Sequence, residues 1–169
     1  DVARREKELL SVVDYENGYS LYIGIPFCPT TCLYCSFTSF PIGKWQGRTE
    51  LYLNALFWEM EYVAEKMRGR VLDTIYFGGG TTTSLSPEDL DAILNKVEST
   101  FPMDQVKEFT VEAGRPDSIT REKLEVLRKH GITRISINPQ TMKQETLDLI
   151  GRRHTVEQVK ETFRLAREL

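Results

Sequence analysis

The chain has 169 residues, enough for one domain with a buried core. Its 40% hydrophobic and 28% charged residues are the mix of an ordinary globular protein. A net charge of −3 leaves no electrostatic footprint for nucleic acid, and no run approaches the ~18 apolar residues of a membrane span.

The first residue is Asp1, and a helical pattern over residues 156–169 runs to the last one, so a piece of a longer protein is expected. Residues 1–19 read as a linker or helix continuing from an upstream region, and residues 20–169 as the domain proper. The alternation of Leu21, Ile23 and Ile25 predicts a first strand, ended by Pro26.

Directly after that strand stand Cys28, Cys32 and Cys35, the only cysteines of the chain. A 4Fe–4S cluster normally takes four thiolates. Three thiolates can hold three of its irons and leave the fourth open, and an open position separates a catalytic metal centre from a closed structural one. The spacing therefore points to a redox-active iron–sulfur site, with S-adenosylmethionine (SAM) expected on the open iron. Structural zinc is the competing reading, with His130 or His154 as fourth ligand, although neither lies close enough for a local knuckle. Disulfide pairing would leave one cysteine over, and the chain has no secretory apolar segment.

Residues 49–68 place Leu53, Leu56, Phe57, Met60 and Val63 at helical spacing. A second strand is predicted over 72–77, stopping at Gly78, Gly79 and Gly80. Ser86 and Pro87 then open a helix as cap and first-turn residue. A third strand is expected over 106–112 and a helix over 120–130, closed by Gly131. A fourth strand over 134–138 precedes two helical segments, and Thr141/Gln144 and Thr155/Gln158 both have capping-box spacing.

Strands alternating with helices imply a parallel sheet. Leu21, Ile23 and Ile25, Phe109 and Val111, and Ile135 and Ile137 give each strand one apolar face. Tyr22, Gly24, Thr110, Glu112, Arg134, Ser136 and Asn138 make the other face polar. A flat doubly wound sheet would read apolar on both faces. The expected fold is α/β, a partial TIM-like (βα) barrel with a wet lumen, truncated after about four βα units. Such a piece leaves a sheet edge open.

Ligands gather at the carboxyl ends of strands in such folds. The cysteines, the triple glycine, Glu112, and Asn138 with Gln140 all fall there. The glycines let a ligand approach bare backbone, whose carbonyl oxygens could meet an ammonium. Glu112 could accept from ribose hydroxyls or an ammonium. Arg152 or Arg153 could fork a carboxylate, the other being surface charge. His130, before Gly131, reads as a helix-end cation.

The run over residues 22–35, Tyr-Ile-Gly-Ile-Pro-Phe-Cys-Pro-Thr-Thr-Cys-Leu-Tyr-Cys, resembles the radical-SAM superfamily. Within it the match is to the oxygen-independent coproporphyrinogen III oxidase (coproporphyrinogen dehydrogenase) group. The resemblance continues through residues 77–81, 110–113, 134–141 and 149–152, and residues 35–39 and 136–142 look most like its HemZ-type branch. It implies that Cys28, Cys32 and Cys35 ligate a 4Fe–4S cluster whose fourth iron takes SAM. Tyr34 would pack near the adenine, and Gly78, Gly79 and Gly80 would hold the methionine amino end. Glu112 and Gln140 would be ribose or amino-acid contacts, Arg152 the carboxylate arginine, and Tyr22 a catalytic-site tyrosine near the cluster.

The implied reaction begins with reductive cleavage of SAM to a 5′-deoxyadenosyl radical. Hydrogen is then removed from a coproporphyrinogen propionate, and carbon dioxide is lost to leave a vinyl group on the way to protoporphyrinogen IX. The resemblance thus implies a porphyrinogen or heme small molecule and an electron donor as partners, in a reducing cytoplasm. Three positions depart from the oxidases: Phe37 replaces a further cysteine, Gly24 a histidine, and Thr82 a proline. The first two resemble the heme-chaperone-like branch, so a heme-binding chaperone is the alternative expectation.

Overall fold

The computed structural model describes residues 1–11 and 16–169, with Leu9 and Leu10 described by backbone alone. After helix α1 (Val2–Leu10) comes strand β1 (Gly18–Ile25) and then two short strands, β2 (Phe27–Cys28) and β3 (Phe40–Pro41), around the cysteine loop. Helices α2 (Ile42–Trp45) and α3 (Thr49–Lys66) follow, then β4 (Val71–Gly79), α4 (Pro87–Thr100), β5 (Glu108–Gly114) and α5 (Arg121–Lys129). Strand β6 (Arg134–Ile137) and helices α6 (Gln144–Leu149) and α7 (Val156–Glu168) complete the chain. Among the described residues, no helix is long and apolar enough to cross a membrane.

The parallel sheet has the order β1-β4-β5-β6, the sequential arrangement that successive strand–helix crossovers produce. Its register aligns Tyr22 with Tyr76, Tyr76 with Thr110, and Thr110 with Arg134 across the strands. Because side chains alternate along a strand, this register also sorts the two faces of the sheet. Ile23, Ile25, Ile75, Phe77 and Val111 are almost fully buried beneath Leu53, Leu56 and Met60 of α3 and Leu90, Ile93 and Leu94 of α4. The opposite face carries Tyr22, Gly24, Tyr76, Gly78, Glu112 and Ser136, largely half-buried or exposed. Gly78 and Thr110 are the exceptions on that face, both buried, with the Thr110 hydroxyl donating to Glu108 Oε1 at 2.6 Å.

The caps form as the side chains dictate, with one correction. Ser86 Oγ accepts from the Asp89 amide at 3.1 Å, with Pro87 in the first turn. Thr155 and Gln158 close a full capping box on α7. The equally spaced Thr141 and Gln144 do not: Lys143 is the N-cap of α6, and Thr141 Oγ1 accepts from the Lys143 amide. Gln144 instead donates to Asp148 Oδ1 at 3.0 Å and accepts from the Val156 amide at 3.1 Å, so its side chain serves the start of α7.

Strand limits also move. β5 begins at Glu108 rather than 106, because the Val106 amide closes a turn onto the Met103 carbonyl. β4 runs on through Gly78 and Gly79. At the β1 edge, the Tyr52 hydroxyl of α3 donates to the Gly24 carbonyl, and burial, with Glu59 and Tyr22 nearby, pushes its phenol up to about 12.

Candidate cofactor site at the strand ends

A cavity of about 320 Å3 opens above the carboxyl ends of the sheet strands. Its wall includes Cys28, Cys32, Cys35, Tyr34, Gly79, Gly80, Glu112, Gln140 and Arg152, so nine of the eleven residues singled out in the sequence meet there. Gly78 sits one step down β4. Tyr22 lines an adjoining cavity of about 720 Å3, which shares Phe37, Gly79, Gly80 and Glu112 with the first.

Cys28 is buried at the end of β2, and burial pushes its thiol up; the Thr81 hydroxyl, 3.5 Å from Sγ, works the other way. Cys32 and Cys35 are half-buried on the loop, where the Cys35 amide turns back onto the Cys32 carbonyl at 3.1 Å. The loop makes few contacts within itself and is held from outside. The Phe40 amide donates to the Pro26 carbonyl at 2.8 Å and the Leu33 amide to the Ile150 carbonyl at 3.2 Å. Gly151 lies so close to Leu33 that an added Cβ would stand 3.2 Å from its side chain.

The two histidines of the zinc reading are engaged elsewhere. His130 Nδ1 faces Glu98 Oε1 and Nε2 faces Asp91 Oδ1, each at 2.8 Å, between α4 and α5. His154 is fully buried with Nε2 on the Pro139 carbonyl at 3.3 Å, and burial lowers its basicity. Among the described residues no group of three or more His, Cys, Asp or Glu side chains converges as a single-ion site. A cluster that gives each cysteine a different iron asks for no such convergence.

Arg152 is buried on the cavity wall while Arg153 is exposed. Arg152 Nε and Nη2 donate to the Tyr34 hydroxyl at 3.3 and 3.1 Å, and Nη1 is buried with no protein partner. A buried donor of this kind is costly unless something accepts from it. The glycines form a cradle that side chains could not share. A Cβ on Gly80 would lie 2.6 Å from the Phe27 carbonyl oxygen and 3.0 Å from Cys28 Sγ, and Gly79 adopts φ +104°. The Gly80 and Thr81 amides are already spent on the Ile25 and Phe27 carbonyls, both at 2.7 Å, so they offer no anion nest.

Glu112 accepts at Oε1 from the Tyr76 hydroxyl at 2.6 Å. That bond, with some burial, pushes the Tyr76 phenol up to about 12. Tyr22 stacks on Tyr76 with ring centroids 6.0 Å apart. Gln140 stands at φ +63°, its amide donating to Asn138 Oδ1 at 3.1 Å, which turns the chain across the cavity mouth. Tyr76, Thr81, Arg115 and Thr30 were not singled out in the sequence. For Tyr76 the parity of β4 was the available signal; for Thr30 and Arg115 there was none.

An arginine with one unpartnered buried nitrogen, a side-chain-free cradle, a carboxylate and three thiols thus line one cavity. The model of the radical SAM superfamily matches residues 22–169. The oxygen-independent coproporphyrinogen-III oxidase-like protein HemZ of Bacillus subtilis is 46% identical over 169 residues, 96% of this chain and 34% of that protein. The heme chaperone HemW of the same organism is 40% identical over 151 residues, 89% of this chain and 39% of its own length. The solved structure of coproporphyrinogen III oxidase (HemN) from Escherichia coli superposes with a TM-score of 0.81 at 28% identity, covering 96% of this chain and 37% of that one. The chain thus spans little more than a third of the proteins it matches.

Proposed function

The chain belongs to the radical SAM superfamily, and from that premise we propose that it forms the N-terminal part of the core of an iron–sulfur oxidoreductase acting on porphyrinogen propionates. In this reading residues 20–169 are core and residues 1–19 lead into it. The observation that carries the reading is the meeting of the three thiols with the unpartnered Arg152 Nη1 in one cavity.

Cys28, Cys32 and Cys35 would hold a 4Fe–4S cluster and leave one iron for SAM. When bound, the two together supply one-electron chemistry that ends in removal of a hydrogen atom from substrate. The protein's part is placement. Arg152 Nη1 holds the SAM carboxylate, and the Tyr34 hydroxyl fixes the guanidinium through its other two nitrogens. The Gly78–Gly80 segment lets the amino end approach the backbone, and Glu112, kept in place by Tyr76, accepts from ribose or ammonium. Gln140 narrows the mouth against water. Tyr22 lines the larger, mostly apolar cavity alongside, where the porphyrinogen is expected to enter. An oxygen-sensitive cluster would call for a reducing cytoplasm and an electron donor.

One observation favours a second reading. Phe37 occupies the position of a further cysteine in the oxidases and is 72% exposed on the wall shared by both cavities. A relative named heme chaperone is 40% identical, so a heme-carrying protein of the same fold is the alternative. The test uses the full-length protein, reconstituted without oxygen and given reductant, SAM and coproporphyrinogen III. The oxidase requires 5′-deoxyadenosine and vinyl porphyrin in proportion. Iron present, heme bound and neither product formed would overturn it in favour of the chaperone.

A further inference from the structure

Arg115 follows β5 and is 2% exposed, yet none of the cofactor contacts above uses it. Its Nε and Nη2 fork onto Asp117, at 3.0 Å to Oδ1 and 2.6 Å to Oδ2. That pair alone would satisfy a structural arginine. The third nitrogen turns the other way: Nη1 donates to Thr30 Oγ1 at 2.6 Å and to the Thr30 carbonyl at 3.2 Å. Thr30 lies midway between Cys28 and Cys32. Burial disfavours the guanidinium's charge, but the Asp117 fork and the nearby Cys32 and Cys28 outweigh it and hold the proton more firmly than usual.

The arginine is itself braced from behind. Its carbonyl accepts from Ser118 Oγ at 2.8 Å, and Ser118 Oγ shares a 2.6 Å hydrogen bond with Thr83 Oγ1. Lys123 Nζ of α5 donates to the Thr83 and Ser118 carbonyls at 2.6 and 3.0 Å. A buried polar network with its members satisfied is rigid. The cysteine loop, by contrast, has almost no structure of its own.

We propose that Arg115 is a positioning residue for the cysteine cluster, fixing the Cys28–Cys32 bight through Thr30 and setting a permanent positive charge behind it. The proposal rests on the cofactor reading above for its electrostatic half. The tether spares the loop part of the ordering entropy that cluster binding would otherwise cost. The charge acts on reduction. One electron makes the cluster more negative, and a nearby guanidinium favours that state, with Asp117 on its far edge.

The experiment uses the full-length protein and the variants Arg115→Met, Arg115→Lys and Thr30→Ala. In iron-free protein, hydrogen exchange over residues 29–35 is expected to quicken about tenfold in both Arg115 variants and less in Thr30→Ala. In reconstituted protein, a spectroscopically monitored redox titration is expected to lower the reduced-to-oxidised ratio about tenfold in Arg115→Met. That is a shift of about 59 mV to lower potential for one electron. Arg115→Lys and Thr30→Ala keep the wild-type potential, because both retain the charge. Arg115→Gln replaces Arg115→Met should the latter fail to fold. Unchanged loop exchange in Arg115→Met overturns the tether. An equal shift in Thr30→Ala, or no shift in Arg115→Met, overturns the charge. If wild type takes up no cluster, the cofactor reading and the charge fall together, while the exchange measurement still decides the tether.

Discussion

The two faces of the sheet are built by different rules. Toward α3 and α4, Ile25, Ile75, Phe77 and Val111 are buried to within 1% and the packing is continuous. Toward the lumen, side chains are polar, glycine or absent, and order comes from single hydrogen bonds such as Tyr76 to Glu112. One face supplies stability through buried apolar area; the other gives up such area to leave room for a ligand. Substitutions should therefore separate cleanly into those that unfold the protein and those that empty the site.

The largest effect expected is on the cluster. Cys32→Ser should abolish iron–sulfur loading and product formation while leaving the urea midpoint of the apoprotein near wild type. A large fall in that midpoint would break the division. On the helix face, Phe77→Ala should cost about 3–5 kcal/mol in the same denaturation measurement, since Phe77 is 1% exposed. Gly80→Ala tests the boundary between the faces. Its Cβ would lie 2.6 Å from a backbone oxygen of β2, so a loss of about 1–3 kcal/mol is expected from forced rearrangement, together with reduced iron retention.

Tyr76→Phe keeps the ring stack on Tyr22 but removes the donor to Glu112. Stability should change by less than about 1 kcal/mol, and SAM affinity, followed by calorimetry, should fall more than the stability does. The smallest effect lies in the helix layer. Hydrogen bonds from Lys129 and then His130 lower the Asp91 carboxyl from 3.8 to about 2. A depressed carboxyl stabilises the fold above its ordinary value and loses that contribution as pH falls. Asp91→Asn should therefore lower stability by a constant amount near neutrality and flatten the profile between about pH 4 and pH 2, where the wild type loses that contribution.

Much of this was legible in the chain because it is local. Three cysteines in eight residues, glycines after a strand and period-two alternation are written within one turn or strand. What escaped is what tertiary structure decides. Thr141/Gln144 and Thr155/Gln158 have the same spacing, yet only the second closes a box, because the Val156 amide takes the Gln144 side chain. Arg115 and Thr30 are 85 residues apart, and neither residue type has a periodicity that would announce the contact. The short pairing of β2 with β3 also depends on a loop returning to its start, which no local pattern encodes.

The bond from Tyr52 to the Gly24 carbonyl makes the two borders of the sheet unequal. A row of free carbonyls and amides is a template on which any passing strand can polymerise. At the β1 border one of those acceptors is already occupied by a phenol held on α3, so an incoming strand must first displace a half-buried ring. At the β6 border no such guard is seen among the described residues. Further strands should therefore add from one direction only, and misassembly, where it occurs, should proceed head-on through β6 while the β1 flank stays inert.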